Sequence, residues 1–357
     1  DGMLERGYTL DFAQRLYKQI QGFGVYGFPE SHSASFALLA YVSAWLKCHY
    51  PEAFYCALLN SQPMGFYSPS QLVQDARRKG IKVAPIDINR SNWDHSLEKE
   101  PSNEDTPILR LGYRLIIGMS KTVAERIVKA RNQDNSKELF FTTIPELVQR
   151  ASVPKSQLTL LGTAGALNTL AGDRRKAHWQ ILDSGAGGPL LENNTDINAK
   201  KHVIKFNDDS AQSLKKLSEV EELHADYESI GLTLGRHPMS LLREQFETFI
   251  HCKRHADLAL LGHQRFVRIA GLVTGRQRPG TASGVIFLTL EDETGNSSVI
   301  VWKTVQKRCH QALLRGQLLE VKGVTETEGA VIHVVAQELT DHSDLLYKTK
   351  IRSRDFR

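Results

Sequence analysis

The sequence is poor in cysteine and has no long apolar run. Its four cysteines, Cys48, Cys56, Cys252 and Cys309, are scattered without any C-x-x-C spacing, which argues against a disulfide framework and a zinc site. No apolar stretch approaches the roughly 20 residues of a membrane span. No basic, apolar, small-residue leader opens the chain. A soluble chain that stays in a reducing cytoplasm is expected. Paired carboxylates are missing too: no D-x-D pair stands at the end of a convincing strand, and "FNDDS" and "LEDETG" read as turns. His251 and His255 are four residues apart, but no carboxylate at metal-site spacing accompanies them, so an exposed helix face is expected rather than a metal centre.

What is present is sizeable and basic in one place. At 357 residues and 41% hydrophobic, the chain exceeds one ordinary domain and should divide into two to four folding units. It opens on a helix-like stretch without an initiator Met, as the C-terminal part of something longer would. The net charge is +5. Between Ile108 and Leu182, however, twelve Lys and Arg face five Asp and Glu, so this one segment carries the whole excess. Concentrated charge favours a polyanion contact over an ordinary solvated surface.

Helical periodicity runs from Leu10 to Ile20 and then breaks at "QGFGVYGFPE". A second helix follows, with Ser31 or Ser33 as its N-cap and Pro51 as its stop. It carries one apolar stripe of Phe36, Leu39, Val42 and Leu46 and another of Leu38, Tyr41 and Trp45, which predicts a buried central helix. "PEAFYCALLN" starts a helix on its proline. "SPSQLVQDARRKG" reads as a capped amphipathic helix ending on Gly80, and "IKVAPIDIN" as a short extended segment. "SLEKEPSNEDTP" reads as a loop or boundary.

"LIIGMSKTVAERIVKAR" predicts a helix ending near Leu115, a tight turn at Ile117, Gly118 and Met119, and a second helix from Ser120 bearing Lys121, Arg126 and Lys129. This is a helix-hairpin-helix pattern. Its turn amides and helix N-terminus suit a nucleic-acid phosphate, with charge supplied independently of base sequence. Ser120 stands where the usual motif has a second glycine, so close backbone approach is in question there. A poorer second copy is "QLTLLGTAGALNTLAGDRRKAHW", with Arg174, Arg175 and Lys176 as its cations; two hairpins side by side would straddle duplex backbone. "DSGAGGPLLENN" then reads as a flexible connector. It is followed by amphipathic helices.

The last third gives five strands with one helix between the third and fourth, the order of an OB-fold barrel that binds oligonucleotides. Arg268, Arg276, Arg278, Trp302, Lys303 and Lys322 are its candidates for stacking and phosphate tracking, with Trp302 in the barrel core as the alternative. From Phe266 to Asp344 eight basic residues meet nine acidic ones. Binding of single strands there should therefore be weak and salt-sensitive.

"GFGVYGFPESHSASFALLAYVSAWLKCHYPEAFYCALLNSQPMGFYSPSQLVQDARRKGIKVAPIDINRSNWD" resembles the distal fingers of bacterial C-family DNA polymerases, the family of the polymerase III alpha subunit, and especially its error-prone, damage-inducible branch. The likeness continues through "LRLGYRLIIGMSKTVAERIVKAR", "YESIGLTLGRHPMSLLREQF" and the closing "SRDFR", nearly the whole chain. It implies a multi-domain α+β fold: distal fingers (1–107), tandem helix-hairpin-helix region (108–182), linker and helical connector (183–262), OB-fold (263–345) and tail (346–357). It also implies a part in template-directed nucleotidyl transfer past damaged template, with Ser31, His32, Ser33 and Lys47 near the incoming nucleotide and template. Replicative relatives commonly have lysine where Glu30 stands here, which puts a phosphate contact at that position in doubt. The Mg²⁺-binding aspartates of the family lie in the palm, ahead of the fingers, so this chain should be inactive alone. Implied partners are primer-template DNA, a catalytically inert Y-family-like accessory protein and, through it, the sliding clamp. Clamp contact from the 183–195 linker is poorly supported, because only Pro189, Leu190 and Leu191 echo the usual peptide. The alternative is a non-catalytic nucleic-acid-binding scaffold of the same modules.

Overall fold

The computed structural model describes residues 2–24, 30–65, 67–100, 103–132, 139–183, 215–280, 284–329 and 331–348. The chain divides into two units, Asp1–Ala57 and Leu58–Arg357.

The first unit is helical: α1 (Gly2–Glu5), α2 (Leu10–Gly24), α3 (Glu30–His49) and the start of α4 (Pro51–Asn60). Because α3 already begins at Glu30, Ser31 and Ser33 fall inside its first turn, and neither is its N-cap. The expected burial of α3 is not met. Phe36, Leu38 and Tyr41 are 57%, 64% and 70% exposed, and Trp45 and Leu46 are open as well. A helix apolar on two sides needs neighbours on both to hide its stripes, and this unit does not supply them.

In the second unit α5 (Pro69–Arg78) starts as its sequence predicts. The Ser68 hydroxyl accepts the Gln71 N–H at 3.3 Å, and the Gln71 side chain accepts the Ser68 N–H at 3.1 Å. A cap of this kind contributes about 1 kcal/mol. Gly80, at φ +83°, follows the helix end. The stretch expected as a loop instead forms β2 (Ser96–Glu100) and the start of β3 (Asn103–Arg110), which with β1 (Val83–Ala84) make a sheet of order β1-β3-β2. Partners rather than composition make these strands: Leu97 pairs with Leu109, and Glu98 takes Arg110 in a two-pronged bond at 3.0 and 2.8 Å.

A helical region follows, with α6 (Lys121–Arg131), α7 (Ile144–Ala151), α8 (Lys155–Thr163), α9 (Asn168–Ala171) and α10 (Arg174–Asp183). Its interior holds Val123, Ile127, Ile144, Leu147 and Leu161. The connector helices are α11 (Glu219–Ser229), α12 (Pro238–Gln245) and α13 (His255–Leu258).

The barrel is built of β4 (Phe266–Gln277), β5 (Ile286–Glu291), β6 (Asn296–Val301), β7 (Leu318–Glu328) and β8 (Val331–Asp341), with α14 (Lys303–Arg308) and α15 (His310–Arg315) between β6 and β7. It closes in the order β4-β5-β6-β8-β7, with β6 and β8 parallel. Alternation places Val267, Ile269, Val299, Val301, Leu319 and Val321 inside. At Gly323 a Cβ would lie 2.3 Å from the Val335 carbonyl oxygen, so glycine lets β7 and β8 close at that bulge. Outside the barrel, Leu223 and Tyr227 of α11 and Met239 and Leu242 of α12 pack with Ala270, Leu272 and Leu318. Glu291, only 3% exposed, receives Gln74 of α5 at 2.9 Å and lies 3.1 Å from His237 at the head of α12, tying three elements together.

Candidate nucleic-acid interface

The first hairpin differs from its predicted form on one limb. The segment before the turn is a single 3-10 turn, Tyr113–Leu115, because β3 runs to Arg110 and leaves no length for a helix. The turn itself has Gly118 at φ +82°, where side chains are disfavoured. Ser120 has φ −81° and occupies the N-cap position of α6 in ordinary extended backbone, so serine carries no strain there. Gln157 of α8 spans the turn: its Oε1 accepts the Ser120 N–H at 2.8 Å, and its Nε2 donates to the Gly118 carbonyl at 3.3 Å. The Ile117 N–H donates to the Ser229 carbonyl of α11 at 2.8 Å. No side chain caps α6, so its first-turn amides are left to face solvent or a ligand. Lys121, Arg126 and Lys129 are exposed on the same helix, with only a loose Lys121–Glu125 pair at 3.9 Å among them.

Much of the predicted charge is structural. Arg110 binds Glu98; Arg114 binds Asp94 and the Asn60 carbonyl; Arg131, 4% exposed, donates to the Ser91 carbonyl and to Asn92. Arg150 lies over the Phe141 ring and donates to the carbonyls of Ala130 and Leu139. Arg174 is a correction to the second hairpin. It is 6% exposed, its guanidinium is bound by Glu222 and Asp226 of α11, and it fills the space beside Gly165, 3.2 Å from where a Cβ would stand. That turn is plugged by a protein cation rather than open to a phosphate. Arg175 donates to the Lys215 carbonyl and to Glu221, while Lys176 is partly exposed on the same helix.

In the barrel, Arg268 pairs with buried Glu320, which also lies 3.2 Å from His342. Arg276 donates to the Leu313 and Gly316 carbonyls at the end of α15. Both are therefore held by protein. Arg278 and Lys303 are exposed and converge beside Gly284. Trp302 is 52% exposed, not in the barrel core. It shares a cavity with Lys322, which pairs with Glu338 at 3.0 Å.

In the first unit the His32 ring rests 4.4 Å from Phe36, and Lys47 lies over Tyr55 at 5.5 Å. His32 and Lys47 sit near opposite ends of α3, about 22 Å apart at 1.5 Å per residue, so the helix does not bring them to one point. The side chain of Ser31 lies outside the described residues. Ser33 is partly exposed.

No sequence pattern pointed to Gln157, whose partners lie 37 and 39 residues away, nor to Phe266, which is 62% exposed at the start of β4. Among the described residues no group of three or more His, Cys, Asp or Glu is placed to hold a metal ion, and no helix is long and apolar enough to cross a membrane.

The family described as helix-hairpin-helix motif matches residues 80–177 and that described as OB-fold nucleic acid binding domain matches residues 267–341, which bears out the predicted fold class. The chain is 50% identical over 355 residues to a protein of Alkalilimnicola ehrlichii named error-prone DNA polymerase, covering 99% of this chain and 33% of that protein. Proteins of the same name from Teredinibacter turnerae and Pseudomonas aeruginosa are 49% and 47% identical, over 99% of this chain and 34% and 33% of their own lengths. The chain spans about a third of the curated relatives it matches, and along that whole third it is similar to error-prone DNA polymerases, the resemblance its motifs predicted.

Proposed function

We propose that this chain is a DNA-holding part of an error-prone DNA polymerase and that it grips the primer-template duplex through α6. The observation that carries the reading is the open end of that helix. Uncapped amides, the Gly118 turn and exposed Lys121 lie at that end, and exposed Arg126 and Lys129 continue the positive charge along the same helix, as a phosphate contact without base readout requires. The barrel then takes unpaired template. Nucleotidyl transfer, its Mg²⁺ ions and their aspartate ligands belong to a part of the polymerase outside this chain. The accessory Y-family-like protein, the sliding clamp and a cytoplasmic setting follow from the same resemblance.

The test is to titrate labelled primer-template DNA with the 357-residue chain at several salt concentrations. Submicromolar binding at low salt that weakens linearly on a log-log plot supports the reading. Failure to bind either duplex or overhang at low salt would overturn it.

A further inference from the structure

The barrel carries a groove of about 990 Å³ between α14 and the outer face of β7 and β8. Trp302 and Phe266 stand on its rim at 52% and 62% exposed, Arg308 and Lys322 supply positive charge, and Val305 and Leu339 of the barrel core form its floor. No residue of β5 or β6 lines it. The usual oligonucleotide face of this fold is made by the second and third barrel strands, which here are β5 and β6, so this groove lies elsewhere on the barrel.

We infer that this groove is a stacking site for unpaired DNA bases, with Trp302 and Phe266 offering ring faces and Arg308 and Lys322 guiding the backbone. Such a site rests on the proposed DNA-holding function and gives the single strand a position on the barrel. Two large aromatic rings exposed at the edge of one cavity, beside two cations, form the kind of clustered patch that marks a binding surface. Every base has a ring face, so such a platform binds single strands without reading sequence. The cations fit a phosphate neighbour: the Arg308 guanidinium reaches the Gln337 carbonyl, and Lys322 pairs with a Glu338 whose side chain is 52% exposed. Both bonds face solvent, where a phosphodiester can compete for the cations. Exposed Lys303 and Lys307 on α14 extend the positive edge.

The experiment measures binding of labelled oligothymidine and of blunt duplex to the 357-residue chain and to Trp302→Ala, Trp302→Phe, Phe266→Ala and Phe287→Ala, the last on β5. Removing one stacking ring should weaken oligothymidine binding by about 5- to 150-fold, while Trp302→Phe keeps most of it. Phe287→Ala and blunt-duplex affinity should stay unchanged. Stacking should also quench Trp302 emission in the wild-type chain but leave the Trp302→Phe background unaltered. Single-strand affinity that survives Trp302→Ala and Phe266→Ala, or that disappears only in Phe287→Ala, overturns the groove while leaving the duplex reading intact. Loss of all DNA binding by the wild-type chain is the separate failure of the function itself.

Discussion

Gln157 closes the first hairpin from outside: its side-chain amide takes the Ser120 N–H and gives a hydrogen to the Gly118 carbonyl, so one residue of α8 holds both ends of the turn before α6. Gln157→Ala should lower stability by about 1 kcal/mol, read as a fall in Tm. It should also reduce duplex affinity, because the turn would sample other shapes before meeting a phosphate. Unchanged affinity at equal folding would mean that the turn's geometry does not serve binding.

Two kinds of arginine and lysine should separate cleanly in mutagenesis. Lys121→Ala, Arg126→Ala and Lys129→Ala remove exposed charge, so stability should stay within about 0.5 kcal/mol, while the salt slope of duplex binding falls by roughly 1 for each phosphate that is no longer neutralised. Equal slopes in all three variants and the wild type would remove α6 from the interface.

Arg174→Ala should do the opposite. It leaves Asp226 and Glu222 without their shared cation and opens space beside Gly165. A fall of about 3 kcal/mol in the stability measured by urea unfolding is expected, at the lower end for a broken buried pair because Glu222 is partly exposed. A stable Arg174→Ala protein with weakened duplex binding would restore the second hairpin as a DNA-binding element.

Acid should loosen the base of the first hairpin. His95 accepts the Gly112 N–H on Nδ1 at 3.1 Å. Burial, helped by the Arg114 guanidinium and opposed by Asp94, pushes its pKa down to about 4. The unfolded chain thus binds a proton that the folded chain refuses. The stabilisation is complete above the ordinary histidine value near 6.5 and is lost as pH falls toward 4. Its ceiling is about 3 kcal/mol. His95→Asn should flatten the dependence of Tm on pH in that window; an unaltered profile would assign the acid sensitivity to other groups.

The barrel was legible in the sequence because strand alternation and the helix between the third and fourth strands are local signals. So was α5, whose cap, proline and terminal glycine all lie within the short stretch from Ser68 to Gly80. The β2–β3 hairpin was not legible, since "SLEKEPSNEDTP" has few β-formers and becomes strand only through Leu109, Ile108 and Arg110 opposite it. Charge counting found the right region, but it could not tell Arg131 and Arg174 from Lys121 and Lys129. Burial and distant carboxylates make that distinction, and neither leaves a mark at the residue itself. The apolar stripes of α3 are visible in its sequence, but the burial they predict is not found, because a periodic pattern does not say whether a neighbour is there to cover it.

The helix α11 touches both halves of the proposed DNA path. Its Ser229 carbonyl holds the hairpin turn, while its Leu223 and Tyr227 are embedded in the packing outside β4 and β7. A strut of this kind works like a caliper: it holds the hairpin turn at a set span from the barrel. On the proposed reading, the distance between the duplex contact and the single-strand contact is then set by the protein and not by the DNA.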